Sequence, residues 1–280
     1  MHRCCADVED MMMRALMKIG AGLLVLSFVL IGVTYSMLKA YGSSSPTSVA
    51  GRSLGSETRK IDAMATVVEL SGPIDLILMQ GQTASLKVRG EQRSLANIET
   101  VQDGRDLHIG TKGMLLNPRH RLQVELVLPS LEELAVHSSG DTKVSGFNGE
   151  RLELQLHGSG NVNFNGRYRE LTAGAHGSGN LNLNTGSSEN VELEMVGSGQ
   201  ISASGSCKTL TAELTGSGDL NARHLASDKV TVNLKGSGTT HVFAKQSADL
   251  TLRGSGDIRV LGNPDRRNVS RTGSGEVTWE

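Results

Sequence analysis

His137, His157 and His176 are spaced by 20 and 19 residues, and the second and third open the same five-residue text, HGSGN. Imidazole nitrogens ligate Zn²⁺ or Cu²⁺, at about 2.0–2.1 Å for zinc. If each repeat stacks over the last, the three rings stand about 4.8 Å apart. Two neighbours can then tilt toward a shared ion, and a third cannot easily reach it. A flat stack of like side chains is the competing reading, since no carboxylate or cysteine column completes a site. The residue after each glycine-serine-glycine offers oxygen instead: Asp141, Asn161, Asn180, Gln200, Asp219, Thr239, Asp257 and Glu276. That set lacks the fixed aspartate and short recurrence of a calcium-binding nonapeptide repeat. Nor is a phosphate cradle indicated, because no Gly-Lys-Ser/Thr follows and no helix start is at hand. Asp219 and Asp257 fall two repeats apart, and no serine–histidine–acid set converges, so neither catalytic nor cofactor-binding residues are expected.

The element that must position these residues is a repeat. The second glycine of each unit falls at Gly140, Gly160, Gly179, Gly199, Gly218, Gly238, Gly256 and Gly275, at intervals of 18 to 20 residues. Around each, apolar residues alternate with polar ones, as in Leu152, Leu154, Leu156, then Val162 and Phe164. Period two is strand periodicity with one face buried. About 19 residues at ~3.3 Å each trace a path of about 60 Å, one circuit of a coil. The pattern predicts an all-β fold: a single-stranded parallel β-helix, a solenoid of 19–20-residue coils, right-handed by the crossover rule. Gly158, Ser159 and Gly160, then Gly177, Ser178 and Gly179, then Gly197, Ser198 and Gly199, are its structural corners. The glycines permit unusual angles and close approach; the serines, of opposite parity, form an outward ladder whose hydroxyls can satisfy corner backbone groups. An antiparallel meander with hairpins at each GSG preserves the same parity and is the rival architecture. An outer-membrane barrel is disfavoured, because the strands fall short of the ~9–11 residues required.

Charge and composition narrow the partners. Lys and Arg number 28 against 29 Asp and Glu, and the chain has one Trp, three Tyr and four Phe. Neither a polyanion partner nor base stacking is implied, so no nucleic acid is expected. Residues 19–38 are uncharged and long enough to cross a bilayer. They follow Arg3, Arg14 and Lys18, which favours a cytoplasmic residue 1–18 segment. A cleaved signal peptide is the alternative, although the run exceeds the usual apolar length and SVA at Ser48–Ala50 lies far downstream. Residues 39–58 read as a flexible linker and 59–280 as the β-helix, with irregular first coils and a cap over 59–136 and GSG repeats over 137–280. The reading is a single-pass cell-membrane protein with its C-terminal domain periplasmic or extracellular. Cys4 and Cys5 then lie on the other side from Cys207, so no disulfide is expected in the exported part. Arg253, Arg259, Arg266, Arg267 and Arg271 make the last coils basic, and the edge near Val277–Trp279 is a candidate for homo-oligomer contacts.

VVELSGPIDLILMQGQTASLKVRG, then VQDGRDLHIGTKG, then LPSLEEL running into SSGD and the GSG copies, resembles the autotransporter adhesin head GIN domain family over residues 60–280. The resemblance implies a β-helical, envelope-exposed domain without an established enzymatic activity. No translocator barrel is expected after GEVTWE, which favours an anchored domain over a self-exporting one. The expected function is a non-catalytic, membrane-anchored adhesin or surface-binding module with an envelope protein or a glycan as ligand. Alternatives are an envelope-stress or assembly partner and, from another class, a polysaccharide-active β-helix enzyme.

Overall fold

Apolar and polar residues alternate well ahead of the glycine repeats, and each alternating run is a strand with one face in the core. The computed structural model describes residues 53–113 and 121–280. The segments read as 1–18 and as the anchor 19–38, the linker through residue 52, and 114–120 of the loop at Thr111–His120 lie outside the described residues. Among the described residues no helix is long and apolar enough to cross a membrane. The chain begins with β1 (Leu54–Arg59), β2 (Val67–Ser71), β3 (Ile74–Gln80), β4 (Ser85–Glu91), a one-turn helix α1 (Gln92–Leu95), β5 (Ile98–Asp103), β6 (Asp106–Thr111), β7 (Leu122–Leu128) and β8 (Glu133–His137). Val68, Leu70, Ile74, Leu76, Leu78, Leu122, Val124 and Leu126 are fully buried, the inward parity of their strands.

Two sequence expectations are corrected here. The linker does not run to residue 58, because Leu54–Arg59 is β1, antiparallel to β4 from Leu54↔Glu91 to Arg59↔Leu86. An edge strand exposed on most of its length needs no apolar alternation, which is why LGSETR carries no strand signal. Arg59 fastens its end, donating to the carbonyls of Ile98 (2.7 Å) and Leu95 (3.2 Å) and to Thr100 Oγ1 (2.8 Å). The other correction is α1, in a region read as free of helix; four residues are too few to show a helical period.

The coils of this region are threaded out of chain order. β2 lies parallel between β6 and β8, and β3 lies parallel between β7 and β9 (Asp141–Gly158). The first coil made, β2–β3, is therefore enclosed between two coils made later. β4 and β5 run antiparallel to β7 and β6 and close that end of the stack.

Beyond β9 the order is sequential: β10 (Asn161–Gly177), β11 (Asn180–Gly197), β12 (Gln200–Gly216), β13 (Asp219–Gly236), β14 (Thr239–Gly254), β15 (Asp257–Leu261), β16 (Arg266–Thr272) and β17 (Val277–Trp279). Each pairs with the next coil in parallel, so the antiparallel meander is excluded. The result is a β-solenoid of about seven turns with coils of about 20 residues. A register shift between Asn165 and Glu170 marks a second corner, dividing each coil into a leading face (161–165 in β10) and a trailing face (170–177) that runs into the next GSG. Inside, equivalent residues form columns. One reads Leu154, Ala173, Leu193, Ala212, Val232, Leu250, every member buried. Large beside small fills the interior without voids, and each buried leucine contributes about 1.5–3 kcal/mol.

Charges alternate along the second corner. Arg169 joins Glu150 (3.1 Å) to Glu189 (3.1 Å), Glu189 takes Lys208 on its far side (2.6 Å), and Lys245 meets Asp228 (3.4 Å). A coil displaced by one place along the stack sets like charges against each other, so the column favours one register. Hydrogen bonds from Lys208 and then Arg169 hold the Glu189 carboxyl below the usual carboxylate range.

The C-terminal end is built differently from the middle. β16 continues the trailing face with Ala248↔Arg267, Leu250↔Val269 and Leu252↔Arg271, so arginine occupies two positions that earlier coils give to core residues. Arg267 stacks 4.6 Å from the centre of the Trp279 ring and donates to Asn263 Oδ1 (2.6 Å) and the Pro264 carbonyl (3.3 Å). Arg271 donates to the Gly275 carbonyl (3.1 Å). The five arginines of the basic cluster thus divide, and two of them roof the end of the core.

Candidate binding face

The leading face of the solenoid presents three outward columns, because residues i, i+2 and i+4 of a strand share one side. The first is Asp141, Asn161, Asn180, Gln200 and Asp219; the second is Lys143, Asn163, Asn182, Ser202 and Asn221; the third is Ser145, Asn165, Asn184, Ser204 and His224. Stacked charges of one sign repel, whereas an amide donates and accepts at once, so asparagine can pair with itself down a column. Asn161 Nδ2 donates to Asp141 Oδ1 (2.8 Å), Asn180 Nδ2 to Asn161 Oδ1 (2.9 Å), and Asn182 Nδ2 to Asn163 Oδ1 (3.1 Å). Each such amide has a second N–H and a second lone pair left for an outside partner.

The second and third columns flank a groove of about 330 Å³ floored by Phe164, Leu183 and Ala203. Lys143 stands at one end. At the other, β12 and β13 fall out of step, with Ser202 opposite Asn221 and Ser204 opposite His224. That two-for-one mismatch is a bulge, which re-aims His224 into the groove's margin. Between those ends the lining is asparagine, serine and apolar carbon, with no carboxylate. The carboxylates of the first column serve the frame: Asp219 Oδ1 accepts the Thr239 N–H (2.7 Å) and Asp257 Oδ1 the Glu276 N–H (3.1 Å).

The GSG residues sit at the corner feeding this face. Ser159, Ser178 and Ser198 are exposed, while Gly160, Gly179 and Gly199 are buried. The corner carbonyls are taken by backbone rather than by the serine hydroxyls: Ser178 N–H and Gly179 N–H both reach the Gly158 carbonyl (3.1 and 3.0 Å), and Ser198 N–H reaches that of Gly177 (2.9 Å). Gly158 and Gly197 have φ of 124° and 130°.

A family model described as "Putative auto-transporter adhesin, head GIN domain" matches residues 66–264, more than half of the 280. The chain belongs to that family. Three crystal structures share the fold of this GIN domain. A putative adhesin from Parabacteroides distasonis ATCC 8503 is 20% identical, with 82% of this chain and 98% of that one covered and a TM-score of 0.76. A putative lipid binding protein from the same organism is 24% identical over 80% and 96% of the two chains, TM-score 0.72. A putative adhesin from Parabacteroides merdae ATCC 43184 is 20% identical over 81% and 96%, TM-score 0.71. A search of curated protein sequences finds no match. The family match omits β1 and the roof made by β16 and β17, which flank the shared GIN domain body.

His137, His157 and His176 lie on the trailing face of the GIN domain, one residue before the corner. Their rings stack with centroids 4.7 and 4.8 Å apart and planes within 5° and 9°. Nitrogen lone pairs lie in the ring planes, so parallel rings aim them side by side rather than at a common point. Among the described residues no group of three His, Cys, Asp or Glu is placed to hold a metal ion. Burial, then the charge of His137 and of His176, lowers the His157 pKa from its ordinary 6.5. The unfolded chain thus binds this proton more readily than the folded one, and the stability involved is whole above about pH 6.5 and lost as pH falls through the lower folded value. Thermal melts across that range are expected to show an acid decline that is shallower in His157→Gln; coincident profiles refute the assignment. Cys207 is buried, its thiol donating to Ser227 Oγ (3.2 Å), and burial raises its pKa, which disfavours the reactive thiolate.

The asparagine columns were the feature missed in the sequence reading. Their signal was present as NVNFN at Asn161–Asn165 and NLNLN at Asn180–Asn184, five residues of the same pattern in consecutive repeats.

Proposed function

We propose that this chain is a non-catalytic adhesin: a right-handed solenoid held at the cell membrane by the single span at 19–38, exposing its leading face to the periplasm or the exterior. The groove between the second and third columns is the contact surface. The observation that carries this reading is the row of outward amides and hydroxyls whose frame is already satisfied by neighbouring coils, so that their remaining donors and acceptors face solvent. Family membership supports the adhesin assignment, and the apolar run at 19–38 supports the anchor.

The test is capture of isolated envelope fractions by the full chain and by Asn163→Ala/Asn182→Ala/Asn184→Ala. Each lost hydrogen bond costs about 0.5–1.5 kcal/mol, so the triple variant is expected to bind about tenfold or more weakly while its melting curve stays near wild type. Equal capture by both proteins overturns the assignment of the face. Recovery of the full chain in the soluble fraction overturns the anchor.

A further inference from the structure

The groove also indicates what it holds. Resting on the adhesin reading above, we infer that its ligand is a linear, uncharged polysaccharide laid parallel to the solenoid axis, recognised along its length rather than at its end. Three observations lead there.

Hydrogen-bonding character comes first. The lining offers amides at Asn163, Asn165, Asn182 and Asn184 and hydroxyls at Ser202 and Ser204, groups that both donate and accept. A sugar hydroxyl does the same, so neighbouring hydroxyls of one ring can meet an amide's N–H and C=O together. Charge is the second. The three central coils of the groove contribute no ionisable side chain, and Lys143 and His224 stand only at its two ends. A polyanion would find no continuous row of cations, and a basic peptide no carboxylate.

Geometry is the third. The columns repeat at the coil spacing, seen directly in the 4.7 and 4.8 Å histidine stack, which is close to the length of one pyranose ring. Five coils line the groove, a run of about 19 Å at the ~4.8 Å strand spacing. A ligand that repeats at nearly the same step can place an equivalent hydroxyl on each coil. An extended peptide instead binds a sheet by its free edge, and this face is the middle of a continuous ladder. Phe164 and Tyr168 are buried and Trp279 lies beneath Arg267, so none of them offers an open ring for a sugar to stack on. Affinity must accumulate from many hydrogen bonds, which makes it depend on chain length.

Titration of the full chain, immobilised by its N-terminal end, with β-1,4-linked gluco-, manno- and xylo-oligosaccharides from dimer to octamer tests this. At least one series is expected to bind about tenfold more tightly as the tetramer than as the dimer, then to level off, with little change between low and high salt. Asn182→Asp/Asn184→Asp, close in shape to the parent, is expected to lose about tenfold or more with an unchanged melting curve. Absence of binding by every neutral series, full binding by the aspartate variant, or preference for polygalacturonate that collapses with salt overturns the inference. Treatment of the envelope fractions separates this from the broader reading. Capture abolished by periodate and resistant to protease supports a glycan. Capture abolished by protease and resistant to periodate leaves an adhesin that grips protein, and the polysaccharide assignment falls alone.

Discussion

Gly177→Ala is expected to destabilise the domain by roughly 3 kcal/mol or more, while Ser178→Ala, the next residue, changes stability by less than about 0.5 kcal/mol. Gly177 has φ of 127°, a region that residues with a Cβ rarely enter and that costs about 1–3 kcal/mol to impose. A Cβ there also stands 2.5 Å from the Gly158 carbonyl oxygen of the coil beneath. That oxygen already accepts the N–H groups of Ser178 and Gly179, so pushing it away weakens two hydrogen bonds at about 0.5–1.5 kcal/mol each. The serine side chain points outward and touches none of this. Urea unfolding followed by circular dichroism measures both variants, and similar midpoints for the two would refute the account of the corner.

Arg267→Leu/Arg271→Leu is expected to turn a monomer into end-to-end assemblies. The last trailing strand, β16, has its inward parity occupied by Arg267, Val269 and Arg271, and the two guanidiniums must be desolvated before another core can stack against them. Leucine removes that penalty and presents a continuous apolar end with unpaired strand edges. Sedimentation velocity separates the outcomes: wild type and Arg267→Lys/Arg271→Lys sediment as monomers, the leucine variant as larger species. A monomeric leucine variant shows that something other than these charges guards the edge. The terminal edge was a candidate contact from sequence, and its core-facing arginines are what the parity of RRNVSRT encodes once β16 is aligned on β14.

The repeating part of the fold was legible because a coil of constant length turns sequence period into spatial register. Aligning the glycines of successive GSG units is enough to bring His157 over His137 and Leu171 over Leu152, at the coil spacing. The start of the domain was not legible in this way. Nothing local in VVELS or IDLILMQ distinguishes a first coil from a second, and the placement of β2 and β3 is decided by partners far along the chain. The charge column was hidden for a different reason: it follows the second corner, where coil lengths vary and Glu150, Arg169, Glu189 and Lys208 align only after the register shifts are known. Of the candidate site, the outward parity of the asparagines was readable, whereas the groove depends on how the second corner and the bulge at His224 raise its margins.

The early coil locked between two later ones gives the domain a direction of dismantling. Each repeat beyond β10 touches only its neighbours, so trimming from the C terminus peels the stack and leaves a shorter object with the same foundation. Removing β2 and β3 instead strikes out a keystone, separating the closed end from every course above it. Length is therefore free to vary at one end in descendants of this chain, and the number of coils bearing asparagine can grow by duplication without disturbing how the structure begins.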